Sequence, residues 1–413
     1  MRIGNANISN GGQRRHRPDY WLLILSAVLL ALGLIVVYSI SPGLAAQSPN
    51  GANANYYVNK QLFAVAAGIG AFILCANLPL AWWPRMQKPL VIGALGSAVA
   101  VQLFGESSNG AYRWIQVGGV SFQSAELIKF ALLVWLAGFL VSRIAESSLE
   151  SKDKMFKPLG IVLALLGVVV AVLQSDLGSM GVMVAIMGAM VFVAGIPLKK
   201  LALAVAVILI GTTLAVGTSS YRRERLQTFL NPAQDCQDAG YQSCQALIAV
   251  GTGGMFGLGL ARSVQAYGYL PEAANDSIFA IFAEKFGFIG STVLLGLFVA
   301  FFARLKRLIE HAPDDYSRLL VTGILAWLST QAIINIGAMI GLLPLKGITL
   351  PFISYGGTSL LFVTAAVGLA FQISRYSTYS VARQTLRVEG KGHENYPDGR
   401  RFRGAYHSAT SRR

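Results

Sequence analysis

Charge is scarce in this chain. Asp, Glu, Lys and Arg account for 13% of its 413 residues, where a soluble domain carries about 25%, and that excludes an ordinary water-soluble globule. Histidine is scarcer still, at His16, His311, His393 and His407 only. With no histidine near other candidate ligands, a metal centre is not expected. No Gly-Lys-Ser/Thr closes the glycine-rich stretch Gly251, Gly253, Gly254, Gly257 and Gly259, so it is no P-loop. It reads as a segment allowing close backbone approach. No internal repeat is visible, which weakens a transporter built from inverted halves. No cleavable signal peptide is expected, because the first apolar run is too long and no small-residue cleavage site clearly follows it.

What the chain has in abundance is long apolar sequence: 54% of residues are hydrophobic and the mean hydropathy is +0.55. Runs of about 20 apolar residues match the hydrocarbon core of a bilayer. They predict an all-α polytopic membrane protein with about ten spans, at residues 20–41, 60–79, 88–104, 124–142, 158–174, 178–196, 200–218, 277–303, 318–342 and 356–374. With both termini in the cytoplasm, about 25 of the 34 basic residues fall on the inner side, which is the bias that orients such proteins. The net charge of +15 then belongs to loops beside anionic lipid, and nucleic acid is not an expected partner. The expected organisation is a disordered cytoplasmic N-terminus at 1–19, a transmembrane domain at 20–375 with a large outer loop at 219–276 between spans seven and eight, and a basic cytoplasmic tail at 376–413. All four histidines lie inside on this topology, which removes a Ser/His/Asp or Cys/His hydrolase at the outer face.

The rare charges therefore ask for a reason, since one at the bilayer centre costs about 2.5–3.5 kcal/mol. Glu126 and Lys129 are three apart on one helix face and are expected to pair; they also stand where a pocket would be lined. Asp176 sits in a tight outer corner between the fifth and sixth spans, either capping the sixth or facing a cavity. Glu284 lies eight residues beyond Asp276, on roughly one face if the helix is regular, and Lys285 needs a partner of its own. Asp276 stands where the polar stretch from Gly268 runs into the eighth span. It reads either as a helix cap, a role open to Asn275 as well, or as a general base whose proton affinity is tuned by burial. In the outer loop, Tyr221 to Leu230 predicts an interfacial helix with Arg222, Arg223 and Arg225, serving as a lipid anchor or as a phosphate clamp. Cys75 reads as a small core residue; Cys236 and Cys244 meet an oxidising compartment, with a disulfide and free thiols both open.

Several stretches together resemble the SEDS family (shape, elongation, division and sporulation). They are Asn109-Gly110-Ala111 with Arg113-Trp114-Ile115; Gln123, Glu126 and Lys129; Gln174 with Asp176-Leu177-Gly178; Tyr221-Arg222 with Arg225-Leu226; Gly240-Tyr241-Gln242 through Gly253-Gly254; Tyr269-Leu270-Pro271-Glu272 with Asp276; Asn335-Ile336-Gly337; and Leu350-Pro351-Phe352 with Ser354-Tyr355-Gly356-Gly357. They occur in the family's order from about residue 20 to 375. Gly240-Tyr241-Gln242, Gly268 to Ala273 and Lys346 to Pro351 are more similar to the division branch than to the elongation branch. Where the family has His-Thr-Asp-Phe, this chain has Ala274-Asn275-Asp276-Ser277.

The resemblance implies a membrane glycosyltransferase that polymerises peptidoglycan from lipid II, with Asp276 as the catalytic aspartate. It implies substrate-binding roles for Arg113, Glu126, Lys129, Asp176, Arg222, Glu272 and Ser354. A class B penicillin-binding protein is the implied partner, with other division proteins and a polyprenyl-pyrophosphate-linked glycan, at the cytoplasmic membrane of a bacterium and its division septum. No cofactor is called for by the residues; a divalent cation, Mg or Mn, is open. Two rival readings are a lipid II flippase, which needs a charged path to the inner side, and a non-catalytic scaffold of the division machinery.

Overall fold

The computed structural model describes residues 17–47, 53–108, 111–117, 120–149, 151–197, 199–200, 236–237 and 240–377. The predicted seventh span, the interfacial helix at 221–230, the N-terminal residues 1–16 and the tail from 378 lie outside the described residues.

The apolar runs become helices because a helix satisfies its own backbone where no water is available. They are α1 (Tyr20–Ala46), α2 (Tyr56–Asn77), α3 (Trp83–Phe104), α4 (Ser124–Ala145), α5 (Lys157–Leu166), α6 (Leu177–Val193), α7 (Tyr241–Thr252), α8 (Ile278–Glu310), α9 (Asp315–Met339) and α10 (Gly357–Ser374). Eight described segments are long and apolar enough to cross a bilayer; α6, with 17 residues, is a shorter apolar helix. The span around α5 runs Asp153–Leu173, its α-helical turns flanked by wider π turns. The innermost helices are α9 and α10, almost continuous in their buried residues, while α2, α3 and α5 show mostly exposed apolar side chains, as lipid-facing helices do.

One end of the bundle is tied by Asp19. Its carboxylate accepts from Arg304 Nε and Nη2 at 2.9 and 2.6 Å and caps the α1 amide of Trp21 at 3.1 Å, while its own N–H donates to Ser374 Oγ at 3.0 Å. This is the end that the basic-residue bias assigns to the cytoplasm. The opposite end carries a three-stranded antiparallel sheet, β1 (Glu106–Ser108), β2 (Ala111–Val117) and β3 (Val120–Gln123), which sequence reading left as loop. In β3, the Gln123 amide donates to Thr358 Oγ1 at 3.2 Å, and that hydroxyl donates to Ser121 O at 2.7 Å, so the sheet is fixed to the start of α10.

Helix α8 departs from regularity at Gly287, whose φ of +66° breaks it into a nine-residue first segment and a longer second one. The glycine-rich segment 253–259 lies along this break. Phe288 N donates to Gly254 O at 2.8 Å, Ile289 N to Met255 O at 3.1 Å, and Leu258 N to Glu284 O at 2.9 Å. Gly257, at φ +81°, sits against the Lys285 carbonyl, where a Cβ would collide. Close backbone approach is thus what the glycines provide.

Candidate functional site

The turn that enters α8 is built from its own polar residues. Glu272 adopts a φ of +51°, sparsely populated for a residue with a Cβ. Its carbonyl accepts from the amides of Asn275 at 2.9 Å and Ser277 at 3.2 Å, and its carboxylate accepts from Asn275 Nδ2. The carbonyls of Ala274, Asn275 and Asp276 are each taken by a donor from across the bundle. Tyr355 N donates to Ala274 O at 2.8 Å, Ser354 Oγ to Asn275 O at 2.6 Å, and Asn335 Nδ2 to Asp276 O at 2.7 Å. The main chain around Asp276 is therefore held on three consecutive residues.

Its side chain is not held in the same way. Asp276 is half-buried, and its Oδ1 is sealed from solvent without a hydrogen-bond partner. Oδ2 lies near Gly347, where even a Cβ would stand 3.7 Å away. Burial, and then the charge of Glu272, push the carboxyl up to about 7, against the opposing pull of backbone amides and Gln242. Gln242 Nε2 also donates to Ser277 Oγ at 3.0 Å. The residue that caps α8 is Ser277, with no side-chain cap bond, so the reading of Asn275 or Asp276 as helix cap is corrected. Asp276 precedes the helix and is free for other chemistry.

Glu284 is also placed differently from the shared-face expectation. Its carboxylate accepts from Ser263 Oγ, from Val264 N at 2.8 Å and from Gln265 N at 3.1 Å, and Lys285 Nζ donates to Leu260 O at 2.7 Å. Asp276 lies outside the helix that would have aligned them, and both charges pin the loop that follows the glycine-rich segment.

Of the other sequence-derived candidates, Glu126 and Lys129 form the expected pair at 2.8 Å, fully buried. Lys129 lies 3.5 Å from Gln331 Oε1 and 5.3 Å from the Trp327 ring centre, while Glu126 Oε2 has no partner. Asp176 caps α6, its Oδ1 accepting from Ser179 N at 2.9 Å. Arg113 on β2 braces the same corner, donating from Nε to Gln174 O and from Nη2 to Ser175 O, each at 2.8 Å. Ser354, besides holding Asn275 O, accepts from Leu350 N at 2.7 Å. Glu272 is exposed in the Asp276 turn and Arg262 is exposed nearby in sequence. Arg222 and Arg223 lie outside the described residues.

Sequence reasoning assigned no part to Asn335, Gln331, Thr349 or Gln242, although Asn335 and Gln242 stood inside quoted motifs. Cys236 and Cys244 are joined as a disulfide, with Cys244 on α7 two residues from Gln242. Among the described residues no three His, Cys, Asp or Glu side chains converge as a metal site.

The profile of the Cell cycle protein family FTSW_RODA_SPOVE matches residues 20–379. The chain belongs to this family. Within the FtsW/RodA/SpoVE family it is 39% identical over 363 residues to the probable peptidoglycan glycosyltransferase FtsW of Saccharophagus degradans, covering 87% of this chain and 92% of the relative. It is 37% identical over 372 residues to the stage V sporulation protein E of Bacillus subtilis, covering 89% and 99%. Among solved structures, a chain of a peptidoglycan synthase complex, solved for its coordination of polymerization and crosslinking, superposes with a TM-score of 0.70 at 28% identity, covering 88% of this chain and 99% of that one. The rod shape determining protein RodA of Thermus thermophilus superposes at 0.61 and 27%, covering 88% and 98%. Family and apolar helices together make this an integral membrane protein.

Proposed function

We propose that this member of the FtsW/RodA/SpoVE family is a peptidoglycan glycosyltransferase that polymerises lipid II into β-1,4 glycan for the cell wall in division. The relatives named as FtsW are probable peptidoglycan glycosyltransferases. The observation that carries the mechanism is the Asp276 carboxylate, sealed on Oδ1, without a donor there, on a turn fixed at three successive carbonyls.

Asp276 acts as general base on the 4-hydroxyl of the acceptor N-acetylglucosamine, because a base of pKa near the working pH combines availability with proton affinity. As the hydroxyl oxygen attacks the donor's anomeric carbon, its proton passes to Asp276 and the bond to the lipid pyrophosphate breaks. Direct displacement inverts the donor's α-linkage to β. Pyrophosphate leaves without a second carboxylic acid, unlike the sugar leaving group of a typical glycosidase. Arg222, Arg223 and Arg262 supply cationic charge for the departing group, and a divalent cation, Mg or Mn, would arrive on the substrate's pyrophosphate. Arg113 and Asp176 serve substrate by holding the corner at residues 174–177, Glu272 and Ser354 by shaping the Asp276 turn, and Glu126 with Lys129 from the wall behind it.

The partner is a class B penicillin-binding protein that cross-links the strands, at the cytoplasmic membrane and the division septum. The superposing chain of a peptidoglycan synthase complex supports that pairing. The test is glycan formation from labelled lipid II by the purified protein with its transpeptidase. Asp276→Asn is expected to abolish it while leaving the protein folded; full synthesis by that variant overturns the assignment.

A further inference from the structure

Asn335 lies near the C-terminal end of α9 and is 2% exposed. Its Nδ2 donates to two carbonyls from different segments, Asp276 O and Ile348 O, both at 2.7 Å. Its Oδ1 is buried and has no partner. The amide cannot be turned around, because that would set its oxygen against two carbonyl oxygens. A buried acceptor left unsatisfied is an expense most proteins avoid, so the two donated bonds are what this residue is placed to make.

They connect the two strips of chain that flank the Asp276 carboxylate. One is the turn itself; the other is the loop 346–349, whose Gly347 leaves the space beside Oδ2. One helical turn earlier on the same face, Gln331 repeats the pattern on that loop. Its Nε2 donates to Thr349 O and Thr349 Oγ1, both at 3.1 Å. The Thr349 hydroxyl in turn meets Ser359 Oγ of α10 at 2.9 Å, and Gln331 Oε1 accepts from Trp327 Nε1 at 2.7 Å. Helix α9 thus presents two amides, a turn apart, to the backbone around the reacting carboxylate.

We propose that Asn335 is a positioning residue for polymerisation: it fixes the distance between the Asp276 turn and the facing loop, and so the placing and desolvation of the base, with Gln331 holding the far end of that loop. The inference rests on Asp276 being the base. Both hydrogen bonds of the Asn335 side chain go to main-chain carbonyls, and the residue is not itself catalytic. The charged group beside the carboxylate is Glu272 of the same turn, and Gln242 faces it uncharged from α7; Lys346, next to Gly347 on the facing loop, has its Cβ against Gly178.

The test uses full-length protein with its transpeptidase and labelled lipid II, measured from about pH 5.5 to 9, with thermal unfolding recorded on each preparation. Asn335→Leu keeps the branched heavy-atom skeleton, though with bulkier methyl groups, and removes both donors. It is expected to lower kcat by on the order of 10- to 100-fold, the scale of a misplaced reacting group, with KM within about twofold. The acidic limb of its rate profile should move to lower pH, because a released turn lets water reach the carboxylate. Should Asn335→Leu not fold, Asn335→Gln keeps the donors one methylene out of place and is expected to lower kcat with KM unchanged. A folded variant with wild-type rate, or a loss that only tracks the folded fraction with the acidic limb unmoved, overturns the proposal. Asp276→Asn is run alongside. If it retains activity, the base assignment itself falls; if it is inactive while the Asn335 variants match wild type, only the role of Asn335 falls.

Discussion

A buried carboxylate oxygen without a donor disfavours ionisation, and Asp276 Oδ1 is in that position, although backbone amides and Gln242 pull the other way. The consequence is a titration near neutrality, with the carboxyl pushed up to about 7 by burial and by Glu272. In the proposed role of general base Asp276 must be unprotonated to act, so the rate should rise as pH passes upward through about 7 and then level. At pH 6 the rate should be about a tenth of its plateau. Glycan synthesis against pH checks this, and Glu272→Gln, which removes the neighbouring charge, should shift the limb to lower pH. The place of Asp276, at the polar entry to a span, was legible in the sequence because charge is rare there. The three donors that hold its turn were not, because they come from residues 59 to 81 positions away and no local pattern joins them. The Glu126–Lys129 pair was legible from its spacing alone. At 2.8 Å and fully buried, it also makes a prediction by subtraction. Lys129→Met leaves Glu126 charged and alone and should cost about 3–5 kcal/mol, whereas Glu126→Gln with Lys129→Met should be close to neutral. Thermal unfolding of the three purified proteins in one detergent compares them.

Whole elements were read well where one force dominates and poorly where several compete. Long apolar runs gave the spans, because in lipid only helix satisfies the backbone. The sheet β1–β3 escaped because its strands run three to seven residues inside polar sequence, without a clear alternating face. Helix α7 escaped for a related reason: its 12 residues are too few to read as a span, and the stretch stood out for its glycines, its cysteine and a family motif instead. Those glycines differ in what they do, and substitution should separate them. At Gly257 a Cβ meets the Lys285 backbone at a φ of +81°, so Gly257→Ala should destabilise by about 1–3 kcal/mol. Gly251 is an ordinary helical residue of α7 with open space around it, so Gly251→Ala should be neutral or raise stability by up to about 1 kcal/mol. The midpoint of thermal unfolding should therefore move in one direction for the first and stay or rise for the second.

Across the molecule, the two ends are organised by different chemistry. Segments that the basic-residue count assigned outside, the sheet, the corner at Gln174–Leu177, the Asp276 turn and the loop 343–355, meet at one end through Arg113, Gln174, Asn335 and Ser354. That grouping required no contact information, only charge asymmetry. What charge asymmetry does not supply is how the far end stays closed, and there the burden falls on Asp19, which ties α1, α8 and α10 with an Arg304 pair at 2.6 Å. Its carboxylate is nearly buried and takes two guanidinium donors as well as the Trp21 amide, so its bonds are charge-assisted and shielded from water. The Lys306–Glu310 pair one turn along α8 spans 3.9 Å with both side chains mostly exposed, where screening leaves little net gain. Asp19→Asn keeps the cap and loses the ion pair, and should lower stability by about 1–3 kcal/mol. Glu310→Gln should leave the unfolding midpoint unchanged. Because the latch lies at the opposite end of the bundle from Asp276, Asp19→Asn should leave the pH profile of the surviving enzyme where it was, so that melting and titration measured on one preparation separate the closing of the bundle from the tuning of its base.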